Sequence, residues 1–98
     1  MARFDVFEDE DGYLFMDVRA DQFETMRRLI LIPLLPVSSA PPPIRDINPI
    51  VDVDDRPHRL MTQYVASVPH SAFRNPVANL ARYRDDVTRA LDVLLTGF

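Results

Sequence analysis

Apolar and polar positions alternate from Arg3 to Phe7 and again from Tyr13 to Val18, the pattern of half-buried strands. Between them Glu8-Asp9-Glu10-Asp11-Gly12 predicts a turn with Asp-Gly as its tight bend. Ala20 to Glu24 is a connection. Thr25 to Leu35 predicts a third strand whose centre, Leu29-Ile30-Leu31-Ile32, is apolar on both faces, as in a strand covered on both sides. Pro36 to Pro43 is a proline-rich loop, because a proline ring supplies no backbone donor to a sheet. Ile50–Val53 and Arg59–Val65 flank Asp54-Asp55-Arg56-Pro57 as a second hairpin, and Ala66–Pro69 leaves the sheet. The last element is a helix, with Asn75 as N-cap and Pro76 at its first position. Val77, Leu80, Ala81, Val87, Leu91, Leu94 and Leu95 follow helical spacing, and Gly97 terminates it. Hairpins followed by one terminal helix predict an α+β fold: a small antiparallel barrel-like sheet with a C-terminal helix, in one domain over residues 1–98.

The end of that helix changes the picture. Ala90-Leu91-Asp92-Val93-Leu94-Leu95 has one polar residue, whereas a surface helix of a monomer keeps a polar face. The helix is therefore expected to pack on its own domain and on a second body. A chain of 98 residues builds only a modest core, so a shared interface would help it. Composition is that of a folded protein, 47% hydrophobic and 27% charged, with net charge −4. That sign weakens nucleic-acid binding as a primary function. There is no cysteine, hence no disulfide and no thiolate chemistry. The chain starts Met-Ala-Arg-Phe-Asp without an apolar leader, so no signal peptide is expected, and the longest apolar run, Leu29 to Leu35, contains Pro33 and is too short for a bilayer. A cytoplasmic protein with no membrane partner is expected.

Candidate chemistry is sparse. Two glycines cannot make a phosphate-binding loop, and His58 and His70 stand without second ligands at metal-binding spacing. No metal, cofactor or catalytic residue is assigned. An RNA-cleaving site would need a cation and a proton shuttle, for which Arg27, Arg28, Thr62 and His58 are the candidates. Glu8, Asp9, Glu10 and Asp11 put four acids on one hairpin tip, which serves as a soluble turn or as an electrostatic docking site for a basic segment.

Several stretches in order resemble the CcdB family, the toxins of bacterial toxin–antitoxin modules. Met61-Thr62-Gln63-Tyr64-Val65-Ala66-Ser67-Val68-Pro69 is similar to the family's M-T-x-x-x-A-S-V-P. Pro49-Ile50-Val51 with Asp55 and Arg59-Leu60 resembles its hairpin, and Phe15-Met16-Asp17-Val18 its second strand. Arg27-Arg28-Leu29-Ile30-Leu31-Ile32-Pro33-Leu34 resembles its central strand, and Val77-Ala78-Asn79-Leu80 to Gly97 its terminal helix.

The resemblance implies an SH3-like barrel with a C-terminal helix, assembled as a homodimer with the helices near the two-fold axis. It implies a protein that is not an enzyme. Such toxins bind the A subunit of DNA gyrase and trap its cleaved complex with DNA. A cognate antitoxin, CcdA-like with a disordered C-terminal segment, neutralises the toxin, and the pair together binds operator DNA to repress its own operon. Carried onto this chain, topoisomerase contact falls on Thr96, Gly97 and Phe98, with Asp92 and Leu94 one turn back and Gln22 in the loop after the second strand. Dimer contact falls on Leu91, Leu94, Leu95 and Phe98, and antitoxin contact on Glu8, Asp9, Glu10 and Asp11.

The chain departs from the family at the decisive place. Where known toxins end Trp-Gly-Ile, it has Thr96-Gly97-Phe98. Truncating a tryptophan hot spot costs about 2 kcal/mol or more, so Thr96 removes area that Phe98 recovers in part. Gln22 likewise stands where the family has an apolar contact residue. Two further readings follow: a barrel-fold endoribonuclease toxin, and a non-toxic homologue kept for antitoxin binding and operon control.

Overall fold

The computed structural model describes residues 2–23 and 25–97. Seven strands and one helix follow in order: β1 (Asp5–Glu8), β2 (Leu14–Asp17), β3 (Arg28–Pro36), β4 (Ile50–Val53), β5 (Arg56–Leu60), β6 (Ala66–Pro69), β7 (Ala78–Asn79) and α1 (Arg84–Thr96). All pairings are antiparallel. The sheet runs β4-β5-β3-β2-β1-β7, with β6 also on β3. It is a nearly closed barrel with a C-terminal helix, the α+β architecture expected.

β3 organises it. Its first half, Arg28 to Leu31, pairs with β6, and its end, Leu34 to Pro36, pairs with β5. Pro33 lies between these two partners. Its carbonyl accepts from Met61 N at 2.9 Å, so its missing N–H faces the same edge at the changeover, where no ladder bond is needed. A proline is thereby tolerated inside the longest strand.

Inside the barrel Phe4, Val6, Met16, Ile32, Leu34, Val51, Leu60 and Leu80 are buried, and α1 adds Val87 and Ala90. A second cluster lies on the outer face, where Phe7, Leu29 and Leu31 are covered by Phe15, Val68 and Phe73. The Phe73 ring sits 5.7 Å from Phe7 and 5.6 Å from Phe15. The exposed edge of β4 is closed by side chains. The Tyr83 hydroxyl accepts from Asp52 N at 3.0 Å, and Arg82 donates to Asp52 O at 2.8 Å.

Four local expectations are corrected. The helix does not start at Asn75-Pro76; it starts at Arg84. The capping signal loses to tertiary contacts: Phe73 covers the outer cluster, Val77 N donates to Val6 O at 2.7 Å, and β7 pairs with β1. Ala66–Pro69 does not leave the sheet; it is β6, laid along β3. The strand expected over Arg59–Val65 is β5 over Arg56–Leu60, because the chain then turns through a 3-10 segment, Thr62–Tyr64. The third strand begins at Arg28 rather than Thr25. Among the described residues no helix is long and apolar enough to cross a membrane.

Candidate functional site

Three exposed regions carry the residues of interest. The first is the end of α1. Val87 and Ala90 are buried in the barrel and Leu91 packs against it, seating the first half of the helix. Asp85, Arg89, Asp92 and Thr96 recur every three or four residues and form one polar stripe. Beside that stripe, Val93 and Leu94 are only half-buried and Leu95 is 75% exposed. Gly97 ends the helix in the left-handed region at φ 81°, its N–H bonded to Val93 O at 2.9 Å, the termination expected of it. The Thr96 hydroxyl donates to Asp92 O at 2.6 Å. Threonine therefore folds its polar atom back on the helix. Phe98 lies outside the described residues.

The second region is the β1–β2 tip. The Asp9 carboxylate accepts from Asp11 N at 2.9 Å and Tyr13 N at 2.8 Å, and Gly12 takes φ 85°. Asp9 is thus committed to turn geometry. Glu8, Glu10 and Asp11 are exposed, and among the described residues no ion pair engages them. The β4–β5 tip lies nearby: Asp54 and Asp55 both take positive φ, 52° and 62°, as a two-residue hairpin turn of this type requires. A groove of about 1150 Å³ runs between the tips, with Glu8, Asp11, Asp54 and Arg56 on its lining, Tyr13 beside them, and Leu14, Leu34 and Val53 beneath. Asp54 was missed as a companion of the acidic tip, because 42 positions separate it from Gly12 in the chain and only the sheet order joins them.

The third region is the β2–β3 connection carrying Gln22. It is held by a buried ion pair. Arg19 Nη2 lies 3.0 Å from Asp17 Oδ2, with side chains 2% and 1% exposed. Arg19 Nη1 donates to the carbonyls of Phe23, Met26 and Arg28. The Asp21 carboxylate accepts from Arg3 N at 2.7 Å. This frame leaves Gln22 exposed, and beside it Phe23 at 46% and Met26 at 39%. The two apolar side chains were missed; an apolar residue in a polar connection was the available signal.

A family described as CcdB protein has a model that matches residues 3–97. The chain belongs to the CcdB family. CcdB proteins are toxins of toxin–antitoxin modules rather than classical enzymes, and membership implies in general an antitoxin partner and DNA gyrase as target. The candidates for RNA cleavage do not meet in this CcdB chain. β3 has nine residues, so its ends lie about 26 Å apart at about 3.3 Å per residue. Arg28 opens β3, whereas His58 pairs with Pro36 at its far end. Thr62 is fully buried, its hydroxyl spent on Ile47 O.

Proposed function

We propose that the protein is the toxin of a toxin–antitoxin module. It acts as a cytoplasmic homodimer that binds the A subunit of DNA gyrase, or a related type II topoisomerase, and traps its DNA-cleavage complex. The observation that carries the reading is the family match over residues 3–97; the exposed apolar end of α1 is its structural counterpart. Topoisomerase contact is assigned to Thr96, Gly97 and Phe98, with Leu94 and Asp92 one turn back and Gln22 on the β2–β3 connection. The dimer contact is assigned to Leu91, Leu94, Leu95 and Phe98. Among the described ones, Leu95 is the most exposed and Leu91 also serves the barrel core.

The antitoxin is assigned to Glu8, Asp9, Glu10 and Asp11, with Asp9 shaping the turn and the other three offering charge. A segment bearing Lys or Arg fits this tip, and its affinity should fall as salt rises. Operator DNA is bound only by the toxin–antitoxin complex, which lets the pair repress its own operon.

A second reading, a non-toxic homologue kept for antitoxin binding, is favoured by one observation. Thr96 stands at the tryptophan position and donates its hydroxyl to Asp92 O, so the only apolar group it offers a partner is a methyl. One experiment separates the two readings. The full chain and a form lacking residues 96–98 are induced without antitoxin, and growth and double-strand DNA breaks are scored. Arrest with breaks, abolished by the deletion, supports the poison. Unchanged toxicity after the deletion sinks the site assignment, and no arrest by the full chain supports the non-toxic homologue.

A further inference from the structure

Arg27 and Arg28 do meet a histidine, and it is His70 rather than His58. The antiparallel pairing of β3 with β6 sets Arg28 opposite Pro69, and His70 N donates to Arg27 O at 2.7 Å. Thr25, Met26, Arg27 and Arg28 on one side and Pro69, His70 and Ser71 on the other line a groove of about 770 Å³. Among these residues none is acidic, although the chain carries net charge −4. On the His70 side the sequence is free of acids, with no Asp or Glu between Asp55 and Asp85, whereas Glu24 precedes the other side. Arg28 is pre-positioned, its Nε on Ser67 Oγ at 2.6 Å and its Nη2 on Ser67 O at 3.0 Å. These bonds leave Nη1 for a ligand. Arg27 is exposed, and among the described residues no hydrogen bond or ion pair engages its guanidinium. The groove thus offers two guanidinium groups, two hydroxyls and the flat or soft surfaces of His70, Pro69 and Met26.

We propose that this groove binds the phosphodiester backbone of a single-stranded nucleic acid. Arg27 and Arg28 pair with phosphate oxygens, which match the planar donor fork. Thr25 and Ser71 donate hydroxyl hydrogen bonds to the same phosphates, and an unpaired base stacks on His70 against Met26. An acidic peptide would satisfy the arginines but leave the stacking surface unused, and that distinction decides for the nucleic acid. No residue of the α1 end or the acidic tip lines this groove, which shares only Thr25, Met26 and Arg27 with the β2–β3 connection that carries Gln22.

The test is fluorescence anisotropy of labelled oligo(dT) and oligo(rU) with the full chain. Saturable binding is expected. With two phosphates engaged, affinity should fall about sevenfold between about 50 mM and about 200 mM salt. Arg27→Gln leaves one phosphate contact and should reduce that salt effect to about threefold. His70→Ala should weaken binding at least about fivefold. Arg45→Gln, whose side chain is 95% exposed elsewhere, should change neither quantity. Circular dichroism melts of each variant confirm that it is folded. The proposal is overturned by absence of saturable binding, by a salt effect that Arg27→Gln leaves unchanged, by equal losses in Arg45→Gln, or by polyglutamate displacing the strand at equal charge concentration.

Discussion

The β1–β2 tip and the end of α1 are both exposed, yet they are built by opposite means. The tip is polar, and its backbone is fixed from within by the Asp9 carboxylate and the left-handed Gly12. The helix end is apolar, and it is fixed from below by Val87 and Ala90 in the barrel. Free carboxylates act on a partner before contact, over about 8 Å at physiological salt, and so govern encounter rate and salt dependence. Apolar side chains act only once water is expelled and so govern residence. On the assignments proposed above, one small chain would thereby separate a surface for fast capture from a surface for durable contact.

That separation requires a rigid body between the two surfaces. The strongest way to break it is Asp17→Ala, which leaves the Arg19 guanidinium buried without its carboxylate partner. Removing one member of a buried pair costs about 3–5 kcal/mol. Urea unfolding should show a loss of that size, and the connection carrying Gln22 and Phe23 should become protease-sensitive because Arg19 holds two of its carbonyls and that of Arg28 at the start of β3. A loss under about 1 kcal/mol would mean that the frame rests on the backbone alone.

Removal of residues 96–98 sharpens the comparison from the apolar side. Among the described residues it deletes the side-chain bond from Thr96 to Asp92 O, the Gly97 N bond to Val93 O and the last residue of α1. Unfolding free energy should change by about 1 kcal/mol or less. Affinity for the gyrase A subunit, measured by calorimetry, should fall about a hundredfold, equivalent to about 2.8 kcal/mol. Antitoxin affinity should be retained if the tip carries it.

Both ends were legible in the sequence, for different reasons. The acidic run and its Asp-Gly bend are local chemistry, and the helix end shows as a failure of amphipathic spacing. The hairpins were legible from alternation, and β3 from its doubly apolar centre. β6 was not, since Ala66-Ser67-Val68-Pro69 is only four residues long, ends in a proline and is held by β3. β7 has two residues and exists because of β1. Asn75-Pro76 carries a valid start signal that the outer cluster overrides through Phe73. The grooves were invisible, because Asp54 joins Glu8, and His70 joins Arg27, only across strands.

Asp9→Ala tests whether the tip's shape or its charge matters. It removes two backbone hydrogen bonds from the turn at a cost of about 1–2 kcal/mol. Asp9→Asn keeps an acceptor oxygen while removing the charge. If geometry is the role of Asp9, the asparagine variant should retain thermal stability and antitoxin affinity, while the alanine variant loses both. Equal losses in the two variants would make Asp9 a docking charge instead.

The smallest effect is the most discriminating. Glu8→Gln, Glu10→Gln and Asp11→Asn neutralise exposed side chains that have no ion-pair partner among the described residues. Each should alter stability by less than about 0.5 kcal/mol, as for surface changes away from special features. Stopped-flow association with a basic antitoxin segment should slow several-fold when all three are combined, and dissociation should stay nearly constant, because rim charges act chiefly on encounter. Raising salt should slow the native protein toward the triple variant and leave the variant almost unchanged. If dissociation accelerates instead, these carboxylates make close contacts in the complex. The tip would then share the work of residence that the comparison assigns to the apolar end.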